Sequence, residues 1–382
     1  MGVNVNLRER VEQAFEEQFG SHATFVVRAP GRVNIIGEHT DYNDGFVLPM
    51  AIDRAVWMAL RSRDDGRVFV RSLEQAQPTD FALDNIQHTA EGWSEYVKGM
   101  AAMLQEAGYD LEGWEGVLSS DVPVGSGLSS SAALEMGVGC AFAAVSDFPF
   151  DGVEMARLGQ KTENEWVGAN TGIMDQMISA NGQEGYALLI DCRDLSTQPI
   201  PLPEGAAVVI MDTMTRHSHT ESGYNERRAS CEKAADYFDV SHLRDVRFEQ
   251  LQDAESELDE VTYRRARHVI TENQRVMDAV QAMKAGDAAT LGALMNASHA
   301  SLRDDFEVTN EALDIMAGVA QAQPGCYGAR MTGGGFGGCA VALVQADMAE
   351  EVATAVAREY EAATDLNPKI YVTSATGGTA VV

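Results

Sequence analysis

Lysine is nearly missing from this chain of 382 residues: Lys98, Lys161, Lys233, Lys284 and Lys369 are the only ones. With 58 acidic residues against 28 basic ones, the formal net charge is −30. That charge excludes general affinity for nucleic acid, whose phosphates it would repel. It leaves room for a phosphate-bearing ligand held locally by backbone N–H groups and a metal. An acidic, lysine-poor surface also points to a salt-rich environment, where screening makes self-repulsion tolerable. No apolar run approaches the roughly 18 residues of a membrane helix, and the N-terminus turns polar at once, without a secretory apolar core. Asn6 stands where a myristoylation site takes Ser or Thr. Cysteine is sparse, odd in number and never in a C-x-x-C pair (Cys140, Cys192, Cys231, Cys326, Cys339). This usage reads as buried thiols in a reducing compartment, the cytoplasm, and not as a zinc site or a disulfide framework. A Walker loop, G-x-x-x-x-G-K-[ST], is also missing, so there is no P-loop lysine.

What remains is an ordinary globular composition, 45% hydrophobic with 35 glycines, in a chain too long for one simple core. A helix is predicted over 7–19, with strands at 24–28, 33–37, 55–60, 67–71 and 116–122. Residues 131–145 are apolar almost all round and predict a buried helix. Helices at 152–167 and 172–181 follow, then strands at 185–191 and 207–213. A long polar helical region spans about 222–320. After it come strands at 326–332 and 339–344, a helix at 347–364 and a strand at 369–373. Mixed strands and helices in both halves predict α+β domains. The Pro-rich stretch 197–205 is linker-like. It divides the chain into 1–198 and 199–382, and the last segment is expected to return to the first domain.

Three stretches carry chemistry. Between Arg28 and Gly45, a Pro-Gly turn and an Asn-Asp-Gly turn flank Glu38, His39, Thr40, Asp41 and Tyr42. Two carboxylates and an imidazole on a rigid loop suit a polyhydroxylated ligand, whose hydroxyls need directional acceptors. The plainer alternative is a solvated acidic turn. Next, Gly125-Ser126-Gly127-Leu128-Ser129-Ser130-Ser131 opens the buried helix. Its glycines admit a phosphate, the helix N-terminus offers N–H groups, and its hydroxyls can cap the helix or reach Mg²⁺. An N-capped helix without a ligand is the alternative there. Third, Gly333-Gly334-Gly335-Phe336-Gly337-Gly338 formally fits G-x-G-x-x-G, but a strand follows where a dinucleotide site demands a helix. A glycine loop able to close on a ligand fits better.

Asp175 stands alone among Ile173, Met174, Gln176 and Met177 at the start of a helix, as a carboxylate facing a pocket would. It also suits a first-turn helix charge. Glu163 is a possible metal ligand, although beside Glu165 its local sequence favours a solvated helix-face charge. His217 and His219 alternate as in a strand; with no third ligand near, they read as surface or pocket-rim residues.

Taken together, these motifs resemble those of the galactokinase family, within the wider group of homoserine, mevalonate and phosphomevalonate kinases. Gly31–Tyr42 looks like the family's sugar motif, Pro123–Ala133 like the group's nucleotide loop and Thr332–Gly338 like its third motif. The likeness continues through Gly172–Gln176, Gly223–Arg228 and Ser298–Phe306, and covers essentially the full length. The resemblance implies a two-domain α+β fold with the active site in the cleft. The expected partners are a small-molecule sugar and ATP, with no nucleic acid and no membrane, and a monomer is expected. The resemblance also implies transfer of a phosphoryl group from ATP to the anomeric hydroxyl of galactose. By the same likeness Asp175 is the base and Arg32 the transition-state stabiliser, while Glu38, His39, Thr40, Asp41, Gly172 and Tyr224 hold the sugar. Gly125, Ser126, Gly127, Leu128, Ser129, Ser130 and Ser131 hold the nucleotide, with Trp93 near the adenine, and Ser131 and Glu163 hold Mg²⁺. Rival expectations are a kinase of another sugar, such as N-acetylgalactosamine or arabinose, and a sugar sensor that retained the fold.

Overall fold

A computed structural model describes residues 6–89, 92–216 and 220–382. The first helix, α1 (Leu7–Phe19), is capped by the Asn6 side chain and stopped by Gly20 in the left-handed region. Strand β1 (Phe25–Asn34) leads to the short β2 (Phe46–Val47), the long β3 (Pro49–Arg63), β4 (Arg67–Ser72) and β5 (Thr79–Ala82). Helix α2 (Ser94–Glu106), strand β6 (Gly113–Ser120) and the buried helix α3 (Ser130–Val145) follow. Then come α4 (Gly152–Lys161), a π-helical turn over Thr162–Val167, α5 (Met174–Asn181) and the hairpin β7 (Tyr186–Asp191) and β8 (Thr197–Pro201). The second half holds β9 (Ala206–Asp212), α6 (Thr220–Tyr237), α7 (Phe248–Asp253), α8 (Glu260–Lys284), α9 (Ala288–Asp304) and α10 (Glu311–Gln321). It closes with β10 (Cys326–Thr332), β11 (Cys339–Gln345), α11 (Ala349–Thr364), β12 (Lys369–Thr373) and β13 (Ala380–Val381).

These strands form three sheets, in the orders β13-β1-β3-β6-β4-β5, β10-β11-β9-β12 and β2-β7-β8. Strand β9 shows why the second is a middle layer. Val208 and Ile210 point into a core shared with Val33, Ile35, Leu48 and Val276. Val209 and Met211 point the other way, against Val352, Val356 and Tyr360 of α11. A strand buried on both faces reads as a continuous apolar run, which is how its sequence appears. Thus residues from both halves of the chain build one core at the junction, and the site lies above it.

Several expectations change. The strand foreseen at 24–28 and the first residues of the one foreseen at 33–37 belong to one strand, β1, which ends at Asn34 and whose pairing with β3 shifts register between Pro30 and Arg32. The irregularity kinks the strand just before Arg32, which pairs with Ala51 while its N–H donates to the Leu128 carbonyl. Helix α2 and strands β2, β5, β8 and β13 lie where no element was expected. The linker-like 197–205 stretch contains β8, paired with β7 at Leu188↔Pro199 and Tyr186↔Pro201. Proline is compatible with this position because β8 is an edge strand with no outer partner to receive an N–H. The predicted 152–167 helix changes to π geometry after Lys161. The last residues do return to the first sheet, where Val27 faces Val381 and Arg28 faces Ala380.

Candidate functional site

The kink in β1, the loop after it, the start of α3 and the start of α5 converge on one cavity of about 410 Å³. Arg32 comes from the kink. Its Nε donates to Asp175 Oδ1 at 2.8 Å and its Nη2 to Asp175 Oδ2 at 2.7 Å, a bidentate pair. Nη1 donates to the carbonyl of Gly127, tying the pair to the glycine-serine loop. Arg32 is buried; burial opposes its charge, but the carboxylates of Asp175, Glu38 and Asp41 together outweigh this and raise its pKa. Asp175 lies in the first turn of α5, so both sequence readings hold at once: it is a first-turn charge and it faces the pocket.

Ser129 adopts a left-handed backbone (φ 60°) and does not cap α3. Its hydroxyl instead donates to Asp175 Oδ2 at 2.5 Å. The expected division of labour among the serines is therefore finer than the sequence disclosed. Ser130 lines the cavity. Ser131 lines the cavity beside Glu163. Ser126 is buried, donates to the carbonyl of Pro123 at 2.8 Å and holds the loop's own shape. Leu128 contributes backbone: its carbonyl accepts from the Arg32 N–H at 3.1 Å. Gly125 and Gly127 line the cavity beside Gly333 and Gly334 of the β10–β11 loop. A Cβ on Gly333 would sit 3.0 Å from the Gly127 Cα, so the two glycine loops pack backbone to backbone and admit no side chain between them.

On the loop after β1, Glu38 is buried and its Oε1 accepts from the Gly333 N–H at 2.8 Å and the Thr332 hydroxyl at 3.1 Å. His39 is also left-handed (φ 63°). Its Nδ1 lies 2.9 Å from the Tyr42 hydroxyl, and its ring packs 4.8 Å from that of Phe306 and 5.6 Å from that of Tyr224. Burial and the charges of His268 and Arg227 push its pKa down to about 3, so the imidazole is neutral. Non-glycine residues held at positive φ carry backbone strain, and two of them meet at this one cavity. Asp41 lies against Gly172 so closely that a Cβ there would be 1.7 Å from Asp41 Oδ2. Burial and the Asp175 charge push Asp41 up to about 6. Tyr224 lines the cavity beside Gly172, and burial raises the pKa of its hydroxyl, which stays protonated. Thr40 sits beneath the loop: fully buried, it donates to the carbonyls of Gly37 (2.9 Å) and Phe46 (2.7 Å) and does not line the cavity.

The local reading of Glu163 as a solvated charge is overturned. The π-turn rotates it inward, where it is 5% exposed and accepts from Thr171 Oγ1 at 2.8 Å and Gln176 Nε2 at 3.1 Å. Burial raises its pKa. Trp93 is not among the residues lining this cavity; it packs against the core of the first sheet beside α2. His217 and His219 lie outside the described residues. Sequence reasoning did not single out Glu135, Glu272 or Arg330, all with no exposed surface. A signal was present only for Glu135, a lone charge in the apolar run 132–145; Glu272 lies in a polar helix and Arg330 beside a glycine loop. Among the described residues no group of three or more His, Cys, Asp or Glu side chains is placed to hold a metal ion, and no helix is long and apolar enough to cross a membrane.

Comparison with known proteins defines the class first. Residues 95–183 match the GHMP kinases N terminal domain and residues 279–362 the GHMP kinases C terminal. The mevalonate kinase of Methanococcus jannaschii shares the fold with a TM-score of 0.67 at 19% identity, covering 94% of this chain and 100% of that one. The homoserine kinase of Cytophaga hutchinsonii does so with a TM-score of 0.63 at 16% identity, covering 94% and 97%. The chain thus has the two-domain GHMP kinase architecture. Within that class, residues 13–62 match the galactokinase galactose-binding signature. The Lactococcus lactis galactokinase, solved in complex with galactose, superposes with a TM-score of 0.93 at 38% identity over 97% of this chain and 98% of that one. The chain belongs to the galactokinase family and is an ATP-dependent sugar kinase.

Proposed function

We propose that the cavity binds galactose and the triphosphate of ATP, and that the γ-phosphoryl group passes to the anomeric hydroxyl, giving galactose 1-phosphate. The observation that carries this reading is the Arg32–Asp175 pair, which stands between the loop bearing Glu38, His39 and Asp41 and the loop Gly125–Ser131. A sugar on the first loop and a triphosphate on the second would meet at that pair. Phosphoryl transfer through a loose transition state needs positioning and charge neutralisation above all. Asp175 accepts the proton of the attacking hydroxyl, and Arg32 stabilises the charge on the transferring group. Aspartate is a weak base toward an alcohol, so the proton moves late, as the new O–P bond forms.

Glu38, His39, Asp41, Gly172 and Tyr224 hold the sugar, and Thr40 supports their loop. Asp41 can accept from two adjacent hydroxyls. A site built on such pairing rejects an epimer that leaves a buried carboxylate oxygen unpartnered, which favours galactose over glucose. The Gly125–Ser131 loop and the N-terminus of α3 hold the phosphates.

Mg²⁺ fits this site. Ser131 and Glu163 supply hard oxygen donors side by side, and Mg²⁺ typically takes one or two protein ligands together with substrate phosphates. When bound, it would neutralise phosphate charge. The five cysteines carry no disulfide, and four are buried; this supports a cytoplasmic protein. We read it as a monomer divided near residue 198.

ATP consumption against a panel of hexoses tests the substrate. Galactose is expected to exceed glucose in kcat/KM by two orders of magnitude or more, as for a site built on paired hydroxyl contacts. Equal rates with glucose, or a higher rate with N-acetylgalactosamine or arabinose, would replace galactose as the substrate.

A further inference from the structure

Behind Glu163 lies a second carboxyl that the proposed chemistry does not use. Glu135, on the second turn of α3, is fully buried, as is Gln176 of α5. The Gln176 amide bridges two carboxyls: Nε2 is 3.0 Å from Glu135 Oε2 and 3.1 Å from Glu163 Oε2. Thr171 Oγ1 donates to the same Glu163 oxygen at 2.8 Å. One oxygen of Glu163 is therefore pinned from behind by two donors. Space for the bridge depends on Gly159 of α4, where a Cβ would lie 3.0 Å from Gln176 Cγ and 3.3 Å from Glu135 Oε2.

We propose that Glu135 and Gln176 are positioning residues: Glu135 fixes the Gln176 amide, and the amide holds Glu163 aimed at a divalent cation on the nucleotide phosphates. The inference rests on the reading of Ser131 and Glu163 as the cation-holding side chains. Gln176 follows Asp175 directly, so the first turn of α5 sends one side chain to the cavity and the next to the carboxyl beside it. Glu135 Oε2 accepts from the Gln176 amide where both side chains are fully buried, so what Glu135 supplies there is an acceptor. A glutamine at 135 would offer the same acceptor; a leucine would leave an amide N–H unpaired. Residues that orient a metal ligand from outside change metal affinity about 10- to 100-fold when removed.

The test is Mn²⁺ binding in the presence of a non-hydrolysable ATP analogue, followed by the electron paramagnetic resonance of free Mn²⁺, with galactose affinity measured in parallel. Glu135→Leu and Gln176→Met are each expected to weaken Mn²⁺ binding about tenfold or more while galactose affinity stays within twofold. Glu135→Gln is expected to bind Mn²⁺ within twofold of the native protein. Either outcome reversed overturns the proposal: a folded Glu135→Leu or Gln176→Met that binds Mn²⁺ normally, or a Glu135→Gln as impaired as the leucine variant. Glu163→Gln separates the two readings. If it binds Mn²⁺ as the native protein does, the cation assignment itself falls. If it alone is weakened, only the positioning role falls.

Discussion

Asp175 receives two bonds from the Arg32 guanidinium and one from Ser129 before any substrate arrives. Such a carboxylate is held in one orientation, which suits a proton transfer that follows bond formation. Asp175→Asn should therefore lower kcat by about 10²–10⁴-fold, with ATP affinity retained in equilibrium binding. Near-native turnover in that variant would remove the base assignment. Asp41 makes a pH prediction. Its carboxyl is pushed up to about 6 by burial and by Asp175, and the proposed sugar-holding role requires it ionised to accept two hydroxyls. As pH falls through 6 the carboxylate takes up a proton, so galactose KM should rise below that pH while kcat at saturating sugar changes less. The sign for stability is opposite. A carboxyl whose folded pKa is raised is relieved by protonation, so its burial destabilises the fold most above pH 6. Asp41→Asn should raise Tm at pH 8 yet abolish the inflection in the KM profile near pH 6.

At the scale of elements, the sugar loop is held from α8. Glu272, fully buried, accepts from the Gly37 N–H at 3.0 Å and from Ser298 at 2.6 Å on Oε1, and from Arg275 at 2.6 Å on Oε2. Burial would raise its pKa, but Arg275, His268 and Arg330 outweigh it and hold it down to about 2. Its contribution is thus present at neutral pH and is lost as pH falls toward 2. Glu272→Ala removes the acceptor of the Gly37 N–H, Ser298 and Arg275 together, and should cost about 3–5 kcal/mol in urea unfolding. Galactose KM should rise too, since Gly37 leads directly into Glu38. None of this was legible locally. The loop itself was, because Pro30-Gly31 and Asn43-Asp44-Gly45 are turn chemistry and Glu38, His39 and Asp41 crowd between them. The phosphate loop was legible from its glycines and serines, and α3 from its apolar run. The inward rotation of Glu163 was not: a π-turn depends on how α4 meets the 168–172 loop, where the backbone N–H groups of Gly168 and Ala169 both bond the Glu163 carbonyl. Strand β8 was hidden by its prolines, which mark a linker and an edge strand alike.

For the whole molecule, charge dominates. A net charge of −30 repels itself, and the 28 basic residues are too few to pair with 58 acidic ones. Raising salt from 0.1 M to 1–2 M shortens the screening length from about 10 Å to about 3 Å or less, so Tm should climb with NaCl. A flat series would show that the acidic surface is no adaptation to salt. By itself the sequence determined which loops carry donors and acceptors, which helix is buried and which family the chain resembles, because turn residues, periodicity and glycine spacing act over a few neighbours. Only the tertiary structure decided that Ser129 bonds Asp175 instead of capping α3, that Glu163 faces inward, and that Val381 closes against Val27. The Ser129–Asp175 and Val27–Val381 contacts join residues tens to hundreds of positions apart, and no local propensity can specify such pairs; they form only when the chain folds around cores such as the one in which Val33 and Ile35 meet Val208, Ile210 and Val276.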